Sequence, residues 1–302
     1  GASPVVITGL DADDQNITIN LTGKNSVSDV IHLIDQPPLH YARAVGLKPE
    51  QVTGMAELDV KLGFPLLKDL PLKAMQIDAK AKITDLASDK LVPGLTISQG
   101  NLLLAVDGEK MSVTGKAAYN DILLETSYQQ RFSAPQTGIA PQASATLKGE
   151  VTTSDITKLG LPLEGMTAPL PVTLHYEKGF TTPAALQFTA DLTATALKLP
   201  MLNWEKSEKA PASAKLALVL EKGAAQLKQL ALQGPKLDVQ VSGTFASGLQ
   251  PKSLTCKPCI IGRNDFRAKL DFIDGTLTEM ALTGVMLAYH DASPKQPEAK
   301  PK

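Results

Sequence analysis

The stretch Ala56–Phe64, AELDVKLGF, alternates apolar and charged residues along its length. Side chains at every second position of an extended chain point to the same face. One face therefore carries the apolar residues Leu58, Val60, Leu62 and Phe64, and the other carries Glu57, Asp59 and Lys61. This pattern predicts a β-strand with one dry face and one wet face.

The same alternation continues along the chain and predicts about ten strands up to residue 275. Residues 75–83, MQIDAKAKI, repeat it with Met75, Ile77 and Ile83 on the dry face. Residues 101–117, NLLLAVDGEKMSVTGKA, predict a hairpin that turns at Asp107 and Gly108. Later strands are predicted in LQFTADLTA (186–194), AKLALVLEKG (214–223), LDVQVSGTF (237–245) and FRAKLDFIDG (266–275). Together they indicate a mainly β protein, an elongated and curved antiparallel sheet with a few short helices.

Helical spacing occurs before each of two strand arrays. A broken helix is predicted over about residues 27–46, interrupted by Pro37 and Pro38, with Ser28 or Asp29 at its start. A short helix is predicted over about residues 153–160, started by Ser154 or Asp155. We therefore expect a first module at 1–137, a second at 138–290, and a polar tail at 291–302. Such helices are expected to brace the dry face at one place.

A tripeptide of an apolar residue, Thr or Ser, and Gly recurs along the chain. Glycine within a strand often marks a bulge, so the sheet is expected to bend at these places. The tripeptides end at Gly9, Gly23, Gly54, Gly115, Gly243 and Gly284.

The composition argues against several classes of function. The 302 residues carry a net charge of −1, which favours neither nucleic acid nor an anionic surface. Aromatic residues are 4% of the chain, and catalytic and nucleotide-binding motifs are missing from the sequence. We expect a protein that is not an enzyme, binds no nucleic acid and needs no metal or organic cofactor.

Cys256 and Cys259 form the sequence CKPC, for which three readings are open. In an extended strand their Cα atoms would be about 10 Å apart, too far for a disulfide, which favours packed or free thiols. Pro258 could instead fold the segment and allow a disulfide. A zinc site would need further ligands, and the four histidines show no ligand spacing.

Residues 32–86, HLIDQPPLHYARAVGLKPEQVTGMAELDVKLGFPLLKDLPLKAMQIDAKAKITDL, resemble the AsmA-like superfamily of Gram-negative envelope proteins. The resemblance is to the large bridge proteins of the TamB and YhdP type, in their central repeat region. LTATALKLPMLNWEK (192–206) and IGRNDFRAKLDF (261–272) are similar as well, whereas CKPC departs from the pattern. The resemblance implies a periplasmic segment whose inner-membrane anchor lies outside this sequence.

The resemblance also implies a hydrophobic β-groove that carries phospholipids between the inner and outer membranes, as part of outer-membrane biogenesis. Expected partners are phospholipid, adjacent segments of the same longer chain, and envelope membrane proteins. The alternative is a structural or interaction scaffold with a closed core and no ligand, which aids outer-membrane protein assembly. The residues expected to line the groove are Leu58, Val60, Leu62, Phe64, Met75, Ile77, Ile83, Leu102, Leu104, Val113, Phe188, Leu192, Leu218, Val239 and Leu270.

Overall fold

The computed structural model describes residues 4–9, 15–36, 48–67, 74–92, 94–135, 140–158, 165–199 and 204–285. Sixteen strands form one antiparallel sheet in the order β1 to β10 and then β13 to β18, and β11 pairs with β12 separately. The strands are β1 (Val5–Thr8), β2 (Asn16–Ser26), β3 (Thr53–Pro65), β4 (Gln76–Val92), β5 (Leu95–Val106), β6 (Lys110–Tyr119), β7 (Ile122–Arg131), β8 (Ala143–Val151), β9 (Leu170–Lys178), β10 (Ala184–Asp191), β11 (Leu197–Leu199), β12 (Trp204–Lys206), β13 (Ser213–Glu221), β14 (Ala224–Gly234), β15 (Leu237–Ala246), β16 (Pro251–Ile261), β17 (Asn264–Ile273) and β18 (Thr276–Val285). The helices are α1 (Val27–Ile34) and α2 (Thr153–Lys158), with 3-10 turns at Pro49–Gln51 and Ser247–Leu249.

The mainly β, antiparallel fold is thus confirmed, and the sheet is open. About ten strands were expected, which was too few. Strands such as β7 and β8 lack the regular alternation, because Thr, Tyr, Gln and Gly occupy positions that are apolar in other strands. Pairing of β7 with β8 carries the sheet across the proposed module boundary near residue 137, and the two modules remain a prediction.

The register of β3 and β4 follows from the charges on the wet face. Glu57 lies opposite Lys82, Asp59 opposite Lys80, and Lys61 opposite Asp78. Directly opposed residues of opposite charge favour a pairing, and a slip of one residue would move all apolar side chains to the wet face. The sequence of these two strands therefore specifies both their register and their orientation.

Antiparallel strands place every second connection at the same rim of the sheet. The connections that contain α1, α2 and the β11–β12 hairpin all lie at one rim, called here the insertion rim. The opposite rim, called the loop rim, carries the turns at 107–109, 179–183, 222–223 and 274–275. Between α1 and α2, β6 joins β7 by the two-residue turn Asn120–Asp121, whose positive φ angles suit a hairpin. Within the described ranges, both α-helices and the second hairpin thus lie at the insertion rim.

The predicted helices begin where expected, at Val27 and Thr153, but the capping residues lie two or three positions before the predicted ones. Ser26, in extended conformation, caps α1 and accepts a hydrogen bond from Asp29 N at 3.0 Å. Thr152 precedes α2, where its Oγ1 accepts from Asp155 N at 3.4 Å and its N donates to the Asp155 carboxylate at 2.9 Å. A cap must keep extended φ and ψ, so it precedes the first helical turn that Asp29 and Asp155 occupy.

The first part of the broken helix and the short helix at 153–158 are present. Residues 37–46 of the predicted broken helix, residues 159–160 and the tail 291–302 lie outside the described residues.

The hairpin turn and the glycine positions also needed correction. Asp107 N bonds Lys110 O at 3.0 Å, so Gly108 and Glu109, rather than Asp107 and Gly108, form the centre of that turn. Gly54, with φ of 126°, lies at a register shift between β3 and β4, as expected. Gly115 pairs in regular register with Leu102, and a Cβ there would collide with the backbone of Asn101. Glycine in this sheet therefore marks close backbone approach as well as bulges.

Candidate functional site

One face of the large sheet carries mostly apolar side chains from β2 to β18, and we call it the apolar face. The strand register shows its continuity: Ala81 lies opposite Leu58 on one side and Leu104 on the other, and Leu104 lies opposite Val113. Farther along, Phe188 lies opposite Leu216 and Leu254 opposite Leu270. Directly opposed residues share a face, so these rows form one surface.

The register places the residues expected to line a groove on this face. Two of them lie just outside strands: Met75 precedes β4 and Leu192 follows β10, where it is buried. The others lie within strands, and most of them alternate with polar residues; Leu104 and Leu218 instead lie between apolar neighbours. They are Leu58, Val60, Leu62, Phe64, Ile77, Ile83, Leu102, Leu104, Val113, Phe188, Leu218, Val239 and Leu270.

The apolar face is open over much of its area. Val60, Leu104, Leu218 and Val239 are partly exposed, and so are most of the large apolar side chains around them. Among the described residues the second sheet is only the short β11–β12 hairpin, so most of the large sheet has no second β-layer packed on its apolar face.

The helix α1 covers the apolar face at one end of the insertion rim. Its buried residues Val27 and Ile31 pack with Val52 and Ala56, and partly buried Leu58 and Ile83 lie against this cluster. Ser26 caps the helix directly after β2, which fixes where its apolar side meets the sheet. The predicted brace is therefore found here for the first part of the broken helix.

A larger cluster covers the insertion rim from β8 to β17. It contains Ile156 of α2, Leu197 of β11 and Trp204 of β12, packed against sheet residues that include Leu237 and Ile261. Trp204 Nε1 donates to Pro235 O at 2.9 Å, so the indole satisfies its polar group while its rings are buried. The single Trp of the chain is thus a packing residue, which the sequence pattern did not reveal.

Lys206, the last residue of β12, is buried, with only 5% of its surface exposed. Its Nζ donates to Leu192 O at 2.9 Å, to Thr193 O at 3.4 Å and to Thr195 O. Burial lowers the pKa of this ammonium from its ordinary value, while nearby Asp191 acts in the opposite direction. The sequence did not predict that Lys206 is buried. Its three partners are backbone carbonyls of a turn, and residue types do not show where such carbonyls lie.

Cys256 and Cys259 form a disulfide, with their Cα atoms 5.8 Å apart. This corrects the preference for thiols, which assumed a regular extended strand. A register shift lies between the two residues in β16, and the Lys257–Pro258 peptide is cis. The bulge places Cys256 opposite Val241 and Cys259 opposite Val239, so both sulfur atoms belong to the apolar face.

The histidines and acidic residues form no evident metal site. Within the described ranges there is no group of three or more His, Cys, Asp or Glu side chains that could hold a metal ion. His175 contacts Thr146 Oγ1 at 3.0 Å and Glu177 at 3.0 Å on the wet face. His32 contacts Gln36, and His40 and His290 lie outside the described residues.

Among the described residues no helix is long and apolar enough to cross a membrane. The chain matches no protein-family model, no curated protein and no solved structure.

Proposed function

We propose that this chain is a non-catalytic segment that binds phospholipid acyl chains on its apolar face and conducts them along the sheet. The observation that carries the proposal is the long, partly exposed apolar surface across sixteen paired strands, which polar side chains of β7 and β9 interrupt near the loop rim. Soluble proteins rarely leave so large an apolar surface open unless it binds something. Acyl chains need contact area and width, not specific polar partners.

The dimensions fit a path rather than a single pocket. Sixteen strands spaced about 4.8 Å apart give a surface roughly 70 Å long. An acyl chain that buries about ten methylenes would gain up to about 8 kcal/mol before ordering costs. Neighbouring positions offer similar apolar contacts, so binding is expected to be measurable but weakly selective. Weak selectivity would allow an acyl chain to move along the apolar face.

The insertion rim supports the same proposal. α1, α2 and the β11–β12 hairpin cover the apolar face only at that rim, while the central strands stay open toward the loop rim. In the described part of the chain, this arrangement provides a wall for acyl chains at one rim and leaves the face open toward the other. Small residues such as Ala79 and Ala145 in the middle of the face leave width for a chain.

We further propose a periplasmic location in a Gram-negative envelope, with an inner-membrane anchor outside this segment. The Cys256–Cys259 disulfide supports an oxidising compartment. The resemblance to AsmA-like bridge proteins supports the same location. Adjacent segments of a longer chain and envelope membrane proteins would then be its partners, in outer-membrane biogenesis.

The test is site-specific photocrosslinking to lipid. p-Benzoylphenylalanine would replace Val60, Leu104 or Leu218 on the apolar face, with Lys61, Ala105 and Val219 as neighbouring controls on the wet face. After irradiation in cells or with phosphatidylglycerol vesicles, mass spectrometry would identify the adducts. We expect phospholipid adducts at the first three positions only. Equal labelling of both faces, or no lipid adduct at any position, would favour the ligand-free scaffold.

A further inference from the structure

The apolar face is interrupted at one place, on β7. This strand presents Ile122 and Leu124 near the insertion rim, but Thr126, Tyr128 and Gln130 toward the loop rim. The corresponding positions of β13 are all apolar, from Ala214 to Leu220. Polar residues in the middle of a surface that is otherwise apolar need a specific reason.

The strand register extends this polar area to β9. Tyr128 lies opposite Ala145 of β8, and Ala145 lies opposite Tyr176 of β9. One step closer to the loop rim, Gln130 lies opposite Ala143, and Ala143 lies opposite Lys178. Four polar side chains therefore surround two alanines. From strand geometry, the area between their Cα atoms measures about 10 by 7 Å.

The hydrogen bonds leave donors for a ligand. Tyr128 Oη donates to Gln130 Oε1 at 2.6 Å, which fixes the carboxamide and leaves its Nε2 as a donor. Within the described part of the chain, neither the Tyr176 hydroxyl nor the Lys178 ammonium donates to a protein acceptor. Burial, and then Tyr176, raise the pKa of Tyr128, so its phenol stays protonated at neutral pH. The site thus offers two neutral donors and one cation.

An apolar path leads from these residues toward the insertion rim. Next along β8 is Leu147, opposite Thr126 and Leu174, followed by Gly149, opposite Leu124 and Val172. The path ends at the cluster of buried residues that includes Val151, Leu170 and Ile156. On β8 the small residues are Ala143, Ala145 and Gly149, and Leu124 of β7 packs over Gly149, so the path is a shallow apolar surface.

We propose that Tyr128, Gln130, Tyr176 and Lys178 form a binding station for the phosphodiester and ester groups of a glycerophospholipid, whose acyl chains lie along β8. The inference rests on the proposed lipid function and adds to it a position and a headgroup orientation toward the loop rim. The donors match phosphate and ester oxygens, and Lys178 matches the negative charge of a phosphodiester. A neutral lipid would use the apolar path but not the cation.

The experiment uses p-benzoylphenylalanine in place of Leu147 as the reporter of this station, and in place of Leu218 as a reporter elsewhere on the apolar face. Each reporter is combined with Tyr176→Phe and Lys178→Gln, with Lys148→Gln on the wet face as the matched control. Probes are phosphatidylglycerol vesicles and vesicles that contain radiolabelled diacylglycerol. We expect the double substitution to lower phosphatidylglycerol capture at position 147 about tenfold. Capture at position 218 should not change, and diacylglycerol capture at position 147 should fall much less than that of phosphatidylglycerol, because diacylglycerol has ester groups but no phosphate.

The outcomes separate this inference from the proposed function. Unchanged phosphatidylglycerol capture at position 147 in the double variant would overturn the binding station but would leave the proposed conduction of acyl chains along the apolar face. An equal loss of diacylglycerol would also overturn it, because a packing defect would then explain the result. No lipid at either position in the unsubstituted chain would overturn the proposed function itself. Lys178→Arg should retain capture, since it keeps the charge.

Discussion

Lys206 Nζ donates a hydrogen bond to Leu192 O at 2.9 Å, which joins the last residue of β12 to the residue that follows β10. Because the same ammonium also bonds Thr193 O and Thr195 O, one side chain holds the turn before β11 against β12. The buried Lys206 ammonium therefore holds the β11–β12 hairpin to the turn that follows β10. Replacing the charge tests how far the rim depends on it.

We expect Lys206→Met to lower the free energy of unfolding by about 2 to 4 kcal/mol. The substitution leaves buried carbonyl groups without a donor, and each costs about 1 to 3 kcal/mol. Chemical denaturation would measure the change. Lys198→Met is the control, because Lys198 is exposed and lies near only one exposed partner, Glu205, at 3.8 Å. A loss no greater than that of Lys198→Met would contradict the structural role of Lys206.

The pKa of Lys206 also predicts the sign of a pH effect. Burial lowers the pKa of the folded protein below the ordinary value of 10.5, so the unfolded chain binds the proton more tightly. Stability then rises with pH between the lowered pKa and 10.5. Unfolding free energies of the wild type and Lys206→Met, compared at pH 8 and pH 10, should show a relative gain for the wild type. If the unfolding free energy of the wild type instead fell relative to Lys206→Met between pH 8 and pH 10, the lowered pKa of Lys206 would be contradicted.

A charged residue on the apolar face should leave the protein folded but block the movement of lipid along that face. For Val60→Asp and Ile77→Asp we expect the melting temperature to fall by less than about 5 °C, since water reaches both positions. Lipid crosslinking at Leu104 in the same variants should be lost or strongly reduced. Gln76→Asp, beside Ile77 but exposed on the wet face, is the control and should change neither quantity. Unfolding of both variants, without lipid on the parent chain, would indicate a closed core instead.

Trp204 should contribute more to stability than any exposed apolar residue. It is 5% exposed and packs within the cluster of β11, β12 and the sheet, so Trp204→Ala should cost about 3 to 5 kcal/mol. Leu103→Ala is the control: Leu103 is 59% exposed on the wet face and should change stability by less than about 0.5 kcal/mol. Similar losses for the two variants, measured by denaturant unfolding, would mean that the cluster does not hold the rim.

The disulfide should stabilise one bulge rather than the whole sheet. It closes a loop of only four residues, so Cys256→Ala with Cys259→Ala should cost no more than about 2 kcal/mol. Amide hydrogen exchange should become faster in the paired parts of β15, β16 and β17 and stay unchanged in β3 and β4. A uniform increase in exchange across the sheet would show that the bridge supports global stability.

Much of the fold could be predicted from local patterns. The alternation in Ala56–Phe64 determined both the strand and its dry face, because side chains alternate between faces in any extended chain. The opposed charges of Glu57 with Lys82 and Asp59 with Lys80 added the register of β3 and β4. The starts of the two helices were also predicted, but their capping residues and one turn centre were displaced by one to three residues, because these positions depend on backbone angles and hydrogen bonds that the residue types alone do not specify.

The sequence by itself determined that the chain has a long apolar side, and it named fifteen of the residues on it. Only the tertiary structure decided that this side stays open, because burial depends on whether another layer of the chain returns to cover it. It also brought Tyr128 and Tyr176 onto either side of Ala145, folded Cys256 toward Cys259, and enclosed Lys206 among carbonyls. These arrangements join residues through pairing, bulges and turns, which no local periodicity encodes.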